Sequence, residues 1–277
     1  MTAIGDPVAG LCLAGGHTAL PYLGVTLASA FLYMGGMALN DVFDLEVDRK
    51  RHPHRVLPSR AIPRSRALQV GAGLLMAGVT TACFVRIEAG VTALALSAAI
   101  VLYNSGFKRF ALAGCLTMGA CRGLNVLVGI HAFDGAGDAL PPTWAYWAAV
   151  LHVVYTTSVT GLSLLEDQET RPATCGRVFI RLVPALLALG AVPVFLPYHP
   201  LVLAPLAFLA TQLLWGILPT QEPLTSRAVM KRVGVGVRGI LLLDTAYLWG
   251  AGGWFAGAVL FALFLASHLV RGRGQDQ

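Results

Sequence analysis

The sequence predicts an all-α integral membrane protein built from nine to ten transmembrane helices, and two observations carry that prediction. The first is composition: 56% of the 277 residues are hydrophobic and only 12% charged, with a mean hydropathy of +0.68, which leaves a water-soluble domain too little polar surface to cover itself. The second is the spacing of apolar runs, which recur from one end of the chain to the other with no polar block large enough to fold separately. A single polytopic domain over 1–277 is therefore expected.

About 20 mostly apolar residues are needed to span a bilayer as a helix. Runs of this kind lie at roughly 1–16, 18–40, 66–86, 89–105, 110–133, 143–165, 178–196, 199–218, 233–249 and 252–270. The first is short and weak, with no basic region before it, so no cleavable signal peptide is expected. Helix ends are marked at Pro141-Pro142, between Pro197 and Pro200, at Pro219, and between Gly250 and Gly253. Small residues such as Gly71, Gly73, Gly119 and Ala120 permit helices to approach closely.

An alternating path through ten spans puts every second loop on one side, and the basic residues follow that alternation. Arg49, Lys50, Arg51, Arg55, Arg60, Arg64 and Arg66 follow the second span, Lys108 and Arg109 the fourth, and Arg171, Arg177 and Arg181 the sixth. Arg227, Lys231 and Arg232 follow the eighth, and Arg271 and Arg273 the last, so seventeen of the twenty basic residues share a side. The expected location is the cell (inner) membrane with both termini cytoplasmic. The formal charge of +6 thus reports topology; the bases sit in short loops and form no nucleic-acid face. Five cysteines (Cys12, Cys83, Cys115, Cys121 and Cys175) without CxxC spacing predict neither a disulfide framework nor a zinc site. His17, His131, His152 and His268 lack metal-ligand spacing and read as satisfied bundle or interface histidines.

The chemistry concentrates where the second span ends, in Asn40-Asp41-Val42-Phe43-Asp44-Leu45-Glu46-Val47-Asp48-Arg49. At about 100° per residue, Asn40, Asp44, Asp48 and Asp41 fall at about 0°, 40°, 80° and 100°, one face of a helix, while Glu46 points away at about 240°. Three carboxylates so close repel one another, and a hard divalent cation with oxygen ligands is the simplest stabiliser. Magnesium suits the site because it accepts phosphate oxygens beside one or two carboxylates. The plain alternative is a solvated helix end neutralised by the bases that follow.

Asn40-Asp41-x-x-Asp44-x-x-x-Asp48, with Arg55-Val56-Leu57-Pro58-Ser59-Arg60-Ala61-Ile62 after it, resembles the first aspartate motif and trailing segment of the UbiA superfamily of intramembrane prenyltransferases. Two departures stand out: Val56 replaces the family's usual proline and Arg60 its usual glycine. The resemblance implies a bundle of about nine helices around a central cavity, with two aspartate motifs holding Mg2+ on the diphosphate of a prenyl donor. It implies roles for Asn40, Asp41, Asp44 and Asp48 as metal ligands, the three acids being catalytic, and for Arg55 as a substrate contact. At the end of the sixth span, where the second motif belongs, stand Tyr155, Thr160, Ser163, Glu166 and Asp167. Helical spacing puts Thr160, Ser163 and Asp167 within about 60° of one another and Glu166 about 60° further round, so either acid can face a cavity. Similarity to the divergent EboC-like branch favours Glu166 as the metal ligand, with Tyr155 and Ser163 near substrate; a plain interfacial acid pair is the alternative.

Gly119-Ala120-Cys121-Arg122-Gly123-Leu124-Asn125 is similar to the same branch. An arginine inside an apolar helix costs roughly 2.5–3.5 kcal/mol on insertion scales, so it points toward an anion or a partner acid. Arg122 is therefore a candidate diphosphate ligand with Asn125 beside it, or else a structural ion pair, with Asp244 as one possible partner. Lys108 and Arg109 are expected phosphate contacts at the same helix-end mouth, or ordinary membrane anchors.

The function implied is Mg2+-dependent transfer of a prenyl group from an isoprenoid diphosphate to a hydrophobic or aromatic acceptor within the membrane. The rival is a non-catalytic binding or transport protein for a prenylated metabolite or precursor, since charged residues around an intramembrane cavity suit transporters equally. A phosphatidyl-type alcohol phosphotransferase is disfavoured, because its long D-G…A-R…G…D…D pattern is missing.

Overall fold

The computed structural model describes residues 2–16, 18–135, 140–164, 205–207, 209–211 and 226–273. Every regular element among them is helical: α1 (Thr2–Leu13), α2 (Ala19–Arg51), α3 (Arg64–Val85), α4 (Ile87–Ser105), a 3-10 turn at Phe107–Arg109, α5 (Ala111–His131), a 3-10 turn at Thr143–Ala145, α6 (Tyr146–Ser163), α7 (Ser226–Gly250) and α8 (Trp254–Arg273). The predicted span at 178–196 lies outside the described residues, as does most of 199–218.

Among the described residues five helices are long and apolar enough to cross a membrane: α2, α3, α4, α5 and the Arg232–Gly250 part of α7. Along α2 to α4, large apolar side chains such as Leu23, Met76, Phe84 and Leu94 face outward, as a lipid-facing surface requires. Two of the predicted spans change in extent. The first is only 12 residues of helix, about 18 Å of rise against about 30 Å of hydrocarbon. The second does not stop at 40 but continues as one 33-residue helix to Arg51. No proline or glycine interrupts Met37 to Arg51, Arg49, Lys50 and Arg51 complement the dipole in the last turn, and His52, which precedes Pro53, leaves the helical region.

Two apolar cores flank α1 and α5. One joins them to α6, α7 and α8 through residues such as Val126, Leu151, Leu243 and Phe264; the other joins them to α2, α3 and α4 through Leu11, Leu32, Leu75 and Leu96. The α1–α5 seam is backbone on backbone: a Cβ at Gly10 would collide with the carbonyl oxygen of Val126, and one at Gly129 with that of Pro7. Gly129→Val is therefore expected to lower stability by about 1–3 kcal/mol, the usual cost of overpacking. Thermal unfolding in detergent checks it, with Gly73→Ala as the control, since a Cβ at Gly73 meets nothing.

Candidate functional site

Between α1, α2, α4 and α5 lies a chamber of about 280 Å³. The stripe that α2 turns toward it, Ser29, Leu32, Tyr33, Gly36, Met37, Asn40 and Asp41, advances in steps of three and four, the spacing of one helix face. Leu96 and Ile100 of α4 and Met118 of α5 complete apolar walls. The chamber is polar at its two ends, with Asn40 and Asp41 at one and Ser29, Arg122 and Asn125 at the other.

At the first end the aspartate motif is gripped by bases from two loops. Lys108 Nζ lies 2.6 Å from Asp44 Oδ1 and donates to Asn40 Oδ1 at 3.0 Å. Arg55 donates to Asp48 Oδ2 at 2.9 Å, and the Asp48 side chain is only 8% exposed. Among the described residues Asp41 has no ion pair, and it faces the chamber. Arg109 is exposed beside Lys108. Residues Arg55 to Ala61 form a wound turn in which Ser59 N–H bonds the Arg55 carbonyl and Ala61 N–H that of Val56. Its tip is Arg60, at φ 63°, the left-handed conformation that glycine adopts without strain. The position where glycine was expected thus keeps glycine's backbone.

The second end is a buried charge network linking α1, α5, α6 and α7. Arg122 donates from Nη1 to both oxygens of Asp6, at 3.2 and 3.0 Å, and from Nη2 to Thr2 Oγ1 at 2.6 Å. Asn125 donates to Asp6 Oδ2 at 3.0 Å and to the Ala3 carbonyl at 2.6 Å, and Ser29 donates to that same carbonyl. His152, fully buried, has Nδ1 at 2.9 Å from the Ala148 carbonyl and Nε2 at 2.9 Å from Asp244 Oδ1. In that arrangement Nδ1 donates, so one proton must lie between Nε2 and the Asp244 carboxylate. With that proton the quartet Arg122, Asp6, His152 and Asp244 is electrically neutral.

These positions revise several expectations. Arg122 pairs first with Asp6, a residue the sequence reading passed over, and not with Asp244. Arg122 and Asn125 stand at the far end of the chamber from the aspartate motif, and the guanidinium is engaged in a structural ion pair, the alternative to its reading as a diphosphate ligand. Tyr155 is off the chamber wall, its hydroxyl donating to the Gly236 carbonyl at 2.6 Å and tying α6 to α7. Ser163 donates to the Thr160 carbonyl at 2.7 Å within its own helix. Glu166 and Asp167 lie outside the described residues.

The model of the UbiA prenyltransferase family matches residues 7–277. The chain belongs to that family. Among its UbiA relatives, a digeranylgeranylglyceryl phosphate synthase of Methanococcoides burtonii is 34% identical over 43% of this chain and 46% of its own length. One from Saccharolobus solfataricus is 24% identical over 62% of this chain and 65% of its own. The chain thus spans about half of such relatives or somewhat more. Two solved structures share the UbiA fold: a homologue from Aeropyrum pernix K1 (TM-score 0.65, 17% identity, 88% of this chain and 96% of that one) and one from Archaeoglobus fulgidus bound to DMAPP and Mg2+ (TM-score 0.61, 15% identity, 89% and 95%). The protein is accordingly a multi-pass, all-helical membrane protein of a prenyltransferase family.

Proposed function

We propose that this UbiA member transfers a prenyl group from an isoprenoid diphosphate to a hydrophobic or aromatic acceptor within the membrane, with Mg2+ as cofactor. One observation carries the reading: an apolar chamber that ends at a carboxylate-bearing helix face whose oxygens already converge on a cation. The ammonium of Lys108, within 3.0 Å of both Asn40 Oδ1 and Asp44 Oδ1, stands in for an ion there, so the residues fit a hard metal with oxygen ligands. Asn40, Asp41, Asp44 and Asp48 would hold Mg2+ on this side, with Glu166 or Asp167 as the acid of the second motif. Bound magnesium would supply Lewis-acid polarisation of the diphosphate.

The chain's own residues do the rest. Arg55 and Lys108 present positive charge where negative charge grows as the C1–O bond of the donor breaks and the electron pair leaves with the diphosphate. The apolar chamber holds the prenyl tail and keeps water from the allylic carbon, so the acceptor's nucleophilic atom forms the new bond and then loses its proton. The tail gains little on passing from lipid to an equally apolar wall, so diphosphate and metal supply most of the affinity. The basic end, by the positive-inside rule, is cytoplasmic in the cell membrane, as are both termini. The names of the relatives support an isoprenoid donor.

The test is label transfer by purified protein from geranyl, farnesyl and geranylgeranyl diphosphates to a mixed lipid and phenol extract, with and without Mg2+. Metal-dependent transfer is the expected result. Donor binding without turnover would instead favour non-catalytic binding or transport, for which the intramembrane quartet of Asp6, Arg122, His152 and Asp244 is the supporting observation. Calorimetry adds a second expected outcome: inorganic diphosphate with Mg2+ binds nearly as tightly as the full donor, and negligible affinity for it would overturn the division of binding energy given above.

A further inference from the structure

Lys108 occupies the place of the metal it is expected to work beside. Its Nζ is 2.6 Å from Asp44 Oδ1 and 3.0 Å from Asn40 Oδ1, and Mg2+ bonded to those oxygens at about 2.0–2.1 Å would lie almost on top of the ammonium. Two positive centres cannot share that spot. The backbone of Lys108 is fixed: it sits on the 3-10 turn Phe107–Arg109, and the helical Gly114 is packed so closely that a Cβ there would meet the Lys108 Cα at 3.1 Å. The four-carbon stem is the part free to move, and its side chain, 18% exposed, opens toward the mouth. The other base, Arg55, meets the motif at Asp48 alone, whereas Lys108 bridges two of its oxygens.

We propose that Lys108 is a tethered placeholder cation, which a divalent metal must displace and which a diphosphate then receives. The inference rests on the functional reading above and adds a property to it: free metal binds poorly, because it must expel an ammonium from the motif's oxygens, and with Asp41 also taken up by the metal that ammonium then needs a new anion. Metal arriving with diphosphate brings that anion, so the site takes the metal–diphosphate complex as a unit. Asp44 stays neutralised between turnovers, and metal and diphosphate binding are coupled through one side chain.

The experiment is calorimetry and Mn2+ paramagnetic resonance on the full chain in lipid nanodiscs, with Mn2+ alone, inorganic diphosphate alone, and both. For the unaltered protein, weak Mn2+ binding that diphosphate strengthens at least tenfold is expected. Lys108→Met should bind Mn2+ alone about tenfold more tightly, bind diphosphate more weakly, and lose most of the coupling. A purely structural lysine would give no gain in metal affinity, so a variant that binds Mn2+ no more tightly than the unaltered protein overturns the placeholder. Should Lys108→Met fail to fold, Lys108→Gln carries the same expectation. If the unaltered protein binds neither Mn2+ nor diphosphate, the functional reading itself falls; if it binds both together and only the variant's gain is missing, the placeholder alone falls.

Discussion

Asp44→Ala is expected to lower metal-dependent prenyl transfer by about 10²- to 10³-fold, the loss seen when one main stabiliser of developing charge is removed. Asp44 stands at the centre of the motif's arc, one turn from Asn40 and one from Asp48, and shares a cation with Asn40. Removing its carboxylate takes a charged ligand from the metal and also frees Lys108 from its strongest partner. The fold should barely notice, because both groups are partly exposed, at 18% and 29%, and pairs of that kind contribute about 0–1 kcal/mol. Label transfer and thermal unfolding measured on the same preparation separate the two effects. Glu46→Ala is the companion variant, exposed on the far side of α2 and paired only with Arg49, and should change transfer only slightly. Transfer by Asp44→Ala within twofold of the unaltered protein would remove Asp44 from the site.

The aspartate face was legible in the sequence because it is local. Four polar residues within nine positions of one helix need only the helical period to be brought together, and α2 obliges by continuing to Arg51. The length of α2 was not legible from hydropathy, which drops where the acids begin although nothing there breaks a helix. The special backbone at Arg60 was visible only through the resemblance, since arginine carries no signal for a positive φ. The second end of the chamber was hidden for a different reason. Asp6 and Arg122 are 116 residues apart, and what joins them is the glycine seam at Gly10 and Gly129, which lets α1 settle against α5. The buried arginine announced that some acid must face it, but periodicity within one helix does not choose between Asp6 and Asp244.

That choice has the largest consequence for stability. Asp6→Ala is expected to cost about 3–5 kcal/mol, because it leaves the charge of Arg122 without its carboxylate. The Asp6 side chain is fully buried and receives hydrogen bonds from both Arg122 and Asn125. Asp244 is engaged elsewhere, its Oδ1 lying 2.9 Å from His152 Nε2. Arg122→Leu should be damaging for the mirror reason, leaving Asp6 buried beside one amide and an imidazole 3.9 Å away. The double variant Asp6→Ala with Arg122→Leu should be more stable than either single one, since removing both members of a buried pair avoids the stranded charge, and neighbours of this kind are strongly non-additive. Unfolding in detergent across the four proteins measures that coupling directly. Additive losses in the double variant, or a single variant as stable as the unaltered protein, would show that Asp6 and Arg122 do not depend on each other, and that the chamber's deep end is held by its apolar cores alone.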